Sequence, residues 1–530
     1  MKYFSIAIAM LLTYSSFAQN TTVSSSKEEV NNATEAFFNS FLGSNEAGYF
    51  LLRKGGPISN ETILIEQYDQ DLNYSSSYKV LGATGVMGDG TLHRKTLMNN
   101  GVIYNFYEGW KKSDLKNSYI VQKMNKSGSE VESETVLETE TGKSQMKSAS
   151  YDISFSPDGS KLAVLTQKPF AKGEKEQLRI QVFATKDLSS IWKNDVTLDV
   201  DSKKHPRNEL IVNNAGTVCF FKDVKISGKE HYYQWISVKG DKVNVQKLDL
   251  KGNYPTYGKL KIDGADNFVY AAMLSEIGNA RSTCQNLLFL KADVQGTLSA
   301  SDVSPLGSNL LGMIVSEKNA NSANYKLDDY VLKDVKINSK NEILLIAEHQ
   351  TSSKAAVGTA QPPVYNYTYN YGGVMIVAAD ASGKRLWNTF YSKKQSEVTR
   401  DAEVTYGSFA SHLINDELYL LWNYTDYHRE PLKGFRYWED MSGAKINLDN
   451  LFGPEAVYPT LLTKIKSDGS IANEDKTFMS EALSEIQKPN AYKMAIDPDF
   501  SIVKDGKIIV LSRMESISAK RYKFNTISVK

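Results

Sequence analysis

Seven segments of this chain share one shape: an apolar run, a tight turn rich in Gly, Asp or Asn, and a second apolar run. The clearest is ISFSPDGSKLAVLT, in which Pro157, Asp158 and Gly159 reverse one strand into the next. The others are KTLMNNGVIYNF, LIVNNAGTVCFF, LKIDGADNFVYAA, VKINSKNEILLIA, SHLINDELYLLW and FSIVKDGKIIVL, with FFNSFLGSNEAGYFLL as a looser eighth copy. A second hairpin follows, in which an apolar strand turns into a more polar one, as in RIQVFATKDLSSIWKNDV and VMIVAADASGKRLWNTF. The unit is four antiparallel strands recurring about every 45 to 75 residues. That pattern predicts an all-β fold: a single β-propeller of four-stranded antiparallel blades over residues 35–530, eight blades favoured and seven as the alternative count.

The last unit ends in RYKFNTISVK, a third strand, so its outermost strand must come from elsewhere. Residues 19–34 can supply it: TTVSSS has strand character, and pairing it there would leave no long edge exposed. The competing reading makes SKEEVNNATEAFFNSF an amphipathic helix with Val30, Ala33, Phe37 and Phe41 on one face, which would favour seven blades.

SFSPDGSKLAVL resembles the WD40-like repeats of the PD40 type found in periplasmic and peptidase propellers. More of the chain resembles exported propeller proteins common in Bacteroidota, through YNYTYNYGGVMIVAADASGKRLWNTFYSKKQ and through YFLLRKGG followed by ILIEQYDQDL. These are packing and turn residues, so the resemblance implies fold and compartment and carries no activity.

With strands lettered A to D, antiparallel order puts turns A-B and C-D on one face of the disc and loops B-C and D-A on the other. The long insertions all fall in the second class. They are EHQTSSKAAVGTAQPPVYNYTYNY and NYTDYHREPLKGFRYWEDMSGAKINLDNLFGPEAVY in B-C positions of units six and seven, and SPLGSNLLGMIVSEKNANSANYKLDDY and MSEALSEIQKPNAYKMAIDPD in D-A positions. Long loops in a compact domain usually carry function, so the expected site is the sector of one face where these four gather. Tyr369 and Tyr371 read as the start of a strand packed on a neighbour, whereas Tyr365 and Tyr367 are expected to project from the disc. The insertion of unit seven adds Tyr424, Tyr427, His428, Arg429, Arg436, Tyr437 and Trp438, residue types enriched in binding hot spots. The competing role for Tyr437 and Trp438 is a satellite core that holds the loop in shape.

Residues 1–18 read as a secretory signal: Lys2, an apolar run from Tyr3 to Leu12, and small residues ending at Ala18. No cysteine stands directly after the expected cleavage point, where Gln19 lies, and no later run is long enough to span a membrane, so the expected compartment is the periplasm, or another destination of export. With 62 Lys+Arg against 61 Asp+Glu there is no electrostatic case for nucleic acid as the partner. Cys219 and Cys284 are the only cysteines, so folding cannot depend on a disulfide framework; Cys219 in TVCFF reads as a small buried side chain, with a single bond to Cys284 as the alternative.

Linear catalytic motifs are missing. There is no G-x-S-x-G, no H-E-x-x-H, no pair of histidines at ligand spacing, and no calcium loop around Asp199 or Asp497. Neither a catalytic residue nor a metal or cofactor is assigned, although Asp426, His428, Glu430, Glu439 and Asp440 carry groups that can act as acid or base. The expected function is an exported, non-catalytic interaction module or subunit of a cell-envelope assembly, an outer-membrane secretion or uptake complex being one candidate partner. A glycan-binding or glycan-cleaving propeller is the alternative.

Overall fold

The computed structural model describes residues 22–529, apart from residue 28 and residues 33–36, 56–61, 81–88, 143, 145–147, 170–172, 202–209, 228–229, 277–282, 323–324, 358–363, 401–406, 424–436, 440–444, 448–459, 473–475, 478–494 and 516–518. Eight antiparallel sheets follow one another, at residues 37–80, 90–141, 150–201, 211–248, 253–305, 330–391, 410–477 and 495–528. They are blades one to eight, and within the first seven the strands pair in chain order from A to D.

A four-stranded sheet with two apolar faces can bury them only against other sheets, and here each blade is covered on both sides by its neighbours. The buried side chains form eight clusters, each spanning two consecutive blades, and the set runs round from the seam of blades one and two to that of blades eight and one. The A strands of neighbouring blades lie close to one another, so A lines the centre and D the rim. Aromatic rings cross the seams. Phe221 of blade four stacks on Tyr270 of blade five at 4.5 Å, and Tyr68 of blade one meets Phe524 of blade eight edge-on at 4.9 Å.

The eighth blade has three strands of its own, Ala495–Lys504, Lys507–Glu515 and Ala519–Ser528. Its fourth comes from the other end of the chain: Thr22–Ser25 pairs with residues 525–528, and Glu29–Asn32 pairs with residues 519–522. Between them, Ser26 donates its backbone N–H to the Phe524 carbonyl and accepts from the Phe524 N–H on its hydroxyl. The helix considered for residues 26–41 does not form among the described residues. Residues 29–32 are extended and Phe37–Asn45 is strand A of blade one, because pairing satisfies an open sheet edge that an amphipathic helix would leave bare.

The two faces of the disc differ. On the lower face, Asn and Asp in the A-B turns take up left-handed backbone, as at Asn100, Asp266 and Asn341, a conformation these residues tolerate. Their side chains then bond the next turn round. Asn45 donates to the Gly101 carbonyl, Asn99 to Gly159, and Asn214 accepts from the Asp158 N–H. Asp266 accepts from the Asn214 N–H, Asn341 from Gly264 and Asp416 from Ser339. This belt joins blades one to seven and explains why the turn residues are Asn and Asp rather than merely polar. The upper face carries the long B-C and D-A connections. Cys219 and Cys284 are buried, unbonded, and lie in different clusters.

Removing residues 19–32 should bare the edge of Ala519–Ser528. The expected result, by light scattering and thermal melting, is a lowered melting temperature and concentration-dependent association. An unchanged monomer would contradict the closing role of these residues.

Candidate binding surface on the upper face

Strand B of blade six runs from Ile343 to Val357 and strand C from Val364 to Ala379, roughly twice the usual strand length. Their outer halves run on past strands A and D as an extension of the same sheet. The joint is a bulge: Glu348 pairs with Val374 and Gln350 with Tyr371, so His349 faces both Gly372 and Gly373. Glycine is required there by space, since a Cβ on Gly373 would lie 2.1 Å from the Phe390 ring and one on Gly372 2.8 Å from His349. Beyond the joint, strand C exchanges its outer neighbour. Strand D of the blade, Arg385–Tyr391, pairs with residues 374–379, while Gln395–Arg400 pairs with residues 366–371.

All four tyrosines lie on this strand. Alternation puts Tyr365, Tyr367, Tyr369 and Tyr371 on one face of this extension, each half-buried. Lys354, opposite Tyr367 on strand B, holds its ammonium 3.7 Å from the centre of the Tyr365 ring and 5.4 Å from that of Tyr367. Tyr367 stacks on Tyr369 with ring centres 6.4 Å apart. Tyr371 packs at the joint, as the sequence suggests, since a Cβ on Gly407 would lie 2.0 Å from its ring, while Tyr369 is half-buried like Tyr365 and Tyr367. Residues 352–356 are exposed, and among the described residues this stretch of strand B pairs only with strand C.

Tyr371 belongs to the base on which the extension stands. Lys393 and Glu348 are both fully buried there, 2.5 Å apart. Lys393 lies among the rings of Tyr371, Phe409 and Trp422, at 5.6, 5.9 and 5.5 Å, and also donates to Gln395. Glu348 accepts from Ser408 at 2.6 Å and Gln350 at 2.7 Å. Gln395 donates to the backbone carbonyl of Asn423, whose side-chain amide bonds both the carbonyl and the N–H of Ile496. One hydrogen-bonded chain thus ties blades six, seven and eight together beneath the upper face. Burial pushes the Lys393 pKa down to about 8 against the pull of Glu348. No sequence motif marks this cluster; the signal was a lone Glu inside the apolar run ILLIAEHQ.

The other sequence-assigned residues are placed only in part. Tyr424, Tyr427, His428, Arg429, Arg436 and Asp440 lie outside the described residues. Tyr437 and Trp438 sit with Glu439 on a short strand paired with Lys445–Asn447. The D-A insertion before blade six is largely packing. It forms helices Ser308–Ile314 and Glu317–Ala320, and Leu306, Leu310 and Leu311 are buried against blades five and six. Among the described residues there is no group of three or more His, Cys, Asp or Glu able to hold a metal ion, and no helix long and apolar enough to cross a membrane.

No protein-family profile and no curated protein matches the chain. Among solved structures it is similar to the β-propeller domain of the trilobed protease from Pyrococcus furiosus (9% identity, 84% of this chain and 96% of that one, TM-score 0.36). It is also similar to the WD40 domain of SCAP from fission yeast (8%, 94% and 98%, TM-score 0.35) and to the polysaccharide lyase Uly1 (9%, 95% and 99%, TM-score 0.34). These likenesses are distant; the assignment as a β-propeller rests on the eight sheets and their seams.

Lys393→Ala leaves a buried carboxylate without its cation and should cost roughly 3–5 kcal/mol in thermal or denaturant unfolding. The double change Lys393→Met with Glu348→Gln should cost clearly less. Between about pH 8 and pH 10.5 the unfolded lysine keeps its proton while the folded one loses it, so this group makes stability rise with pH in that window. The rise should vanish in Lys393→Met.

Proposed function

We propose that this propeller is a non-catalytic interaction module of the cell envelope that docks a protein partner through the upper face above blades six and seven. The observation that carries this reading is the blade-six extension, which carries the sheet past the disc with a tyrosine row on one face and a stretch of strand B that, among the described residues, pairs only with strand C. A strand edge of that kind offers backbone groups to an incoming strand, and the rings beside it supply pockets for its side chains. Half-buried tyrosines held by a lysine bring apolar area at small entropic cost. The buried junction below keeps the extension in one orientation, which lowers the cost of binding.

Export is part of the proposal. The apolar run from Tyr3 to Leu12 and the small residues before Ala18 support a cleaved leader and a periplasmic location. An assembly at the outer membrane, engaged in secretion or uptake, is the partner class this compartment favours.

Replacing residues 352–369 by Asn-Gly keeps the pairing of Gln350 with Tyr371 and closes the hairpin early. The shortened protein should melt within a few degrees of the wild type and should lose the partner that co-purifies with the wild type from native cells. Tyr365→Ala with Tyr367→Ala should weaken the same complex by about 2 kcal/mol or more. Retention of the partner by both variants, or a positive glycan array on the wild type, would overturn the reading in favour of another surface or of a glycan ligand.

Trp438→Ala should likewise weaken the complex with an unchanged melt. A loss of roughly 3 kcal/mol of stability instead would make this residue the peg of a satellite core.

A further inference from the structure

At the opposite end of the ring, the A strands of blades five to eight border an open recess of about 370 Å³ at the lower mouth of the central opening. Its walls are polar at one level and apolar at another, with Lys261, Asp334, Lys336 and His412 above Ile337 and Leu413. Its charge is unbalanced. Three ammonium groups converge on the single Asp334 carboxylate: Lys336 at 2.9 Å, Lys259 at 3.6 Å and Lys261 at 3.8 Å. One carboxylate neutralises one of them, which leaves an excess of two positive charges at this mouth.

The lysines differ in freedom. Lys336 is largely buried against Asp334, and Lys259, though 41% exposed, donates to the Lys333 carbonyl at 2.6 Å, whereas Lys261 keeps 43% of its side-chain exposure and can turn toward a ligand. Burial alone would raise the Asp334 pKa, yet the lysines bring it below the ordinary carboxylate range, so this group stays ionised and competes with any incoming anion. His412 is bonded through Nε2 to Ser501 at 2.9 Å, and burial together with Lys336 brings its pKa down to about 4, so it is neutral at pH 7. The volume lies in the range of small-ligand sites. The turns around this mouth are fixed by the hydrogen-bonded belt of Asn and Asp side chains, so the recess is pre-formed.

We infer that this lower mouth is a binding site for a small polyvalent oxyanion, a phosphate ester or a di- or tricarboxylate, held by Lys261 and Lys336, with Lys259 beside them on the shared Asp334 carboxylate. It is separate from the upper-face extension, so either assignment stands if the other fails.

Calorimetric titration of the purified protein at pH 7 and low salt, with inorganic phosphate and with citrate as probes, tests it against chloride at matched ionic strength. Saturable binding of at least one probe is expected, and the stronger one reports whether phosphate or carboxylate chemistry is preferred. Lys259→Gln with Lys261→Gln keeps the Lys336–Asp334 pair and should weaken binding about tenfold or more. Asp334→Asn removes the competing anion and should tighten it severalfold. The hairpin-shortened variant should bind like the wild type. Absence of saturable binding in both wild type and Asp334→Asn would overturn the inference, as would binding that the double lysine change leaves intact.

Discussion

Every blade of this protein depends on its neighbours to cover two apolar faces, and that requirement is met only by a closed ring. Interior positions such as Val374, Ile376, Leu288 and Leu290 are at most 1% exposed, yet no single blade could bury them. Each such side chain contributes about 1.5–3 kcal/mol when taken out of water, so a ring left open at one seam would forfeit a whole cluster. The last seam is secured by residues from both ends of the chain. Thr22–Ser25 and Glu29–Asn32 complete the sheet whose other strands are the final ones, and the sequence order of the propeller is thereby locked.

The closed ring leaves its two faces free to diverge. Below, short turns are tied to one another by Asn and Asp side chains, and the centre holds an excess of lysine over carboxylate. Above, the same strands run on past the disc. The blade-six extension is possible because a bulge and two glycines let strand C leave one neighbour, Arg385–Tyr391, and take another, Gln395–Arg400. A buried ion pair would ordinarily be a poor source of stability. Lys393 and Glu348 instead fix the direction of the extension, since Tyr371, Gln395 and Asn423 all meet them or their partners.

The sequence made the architecture readable because turns and strand alternation are local. PDGSK and its looser copies located the A-B turns, and the missing outer strand after RYKFNTISVK pointed to the other terminus. The tyrosine row was visible as an alternation in YNYTYNY, although the joint at Gly372 and Gly373 was not, because a bulge is set by what lies opposite. Local pattern misled at SKEEVNNATEAFFNSF, where an apolar spacing compatible with a helix lost to an unpaired sheet edge. Two features could not be read as clusters, a lone Glu in ILLIAEHQ being the one trace of the first. The Lys393 junction joins side chains from three blades, and the lysines of the lower mouth converge on one carboxylate from neighbouring A strands. Non-local convergence of that kind has no linear signature.

The central claim is that the blade-six extension is the recognition surface of an otherwise rigid ring. Amide hydrogen exchange on the purified protein, free and in complex with the partner it retains from native cells, addresses this directly. Residues 351–357, 364–371 and 395–400 should be slowed about tenfold or more on binding, while the lower-face turns around Asp158, Asp266 and Asn341 exchange as before. Protection confined to the lower turns or to blades one to four, with none on the extension, would contradict the account.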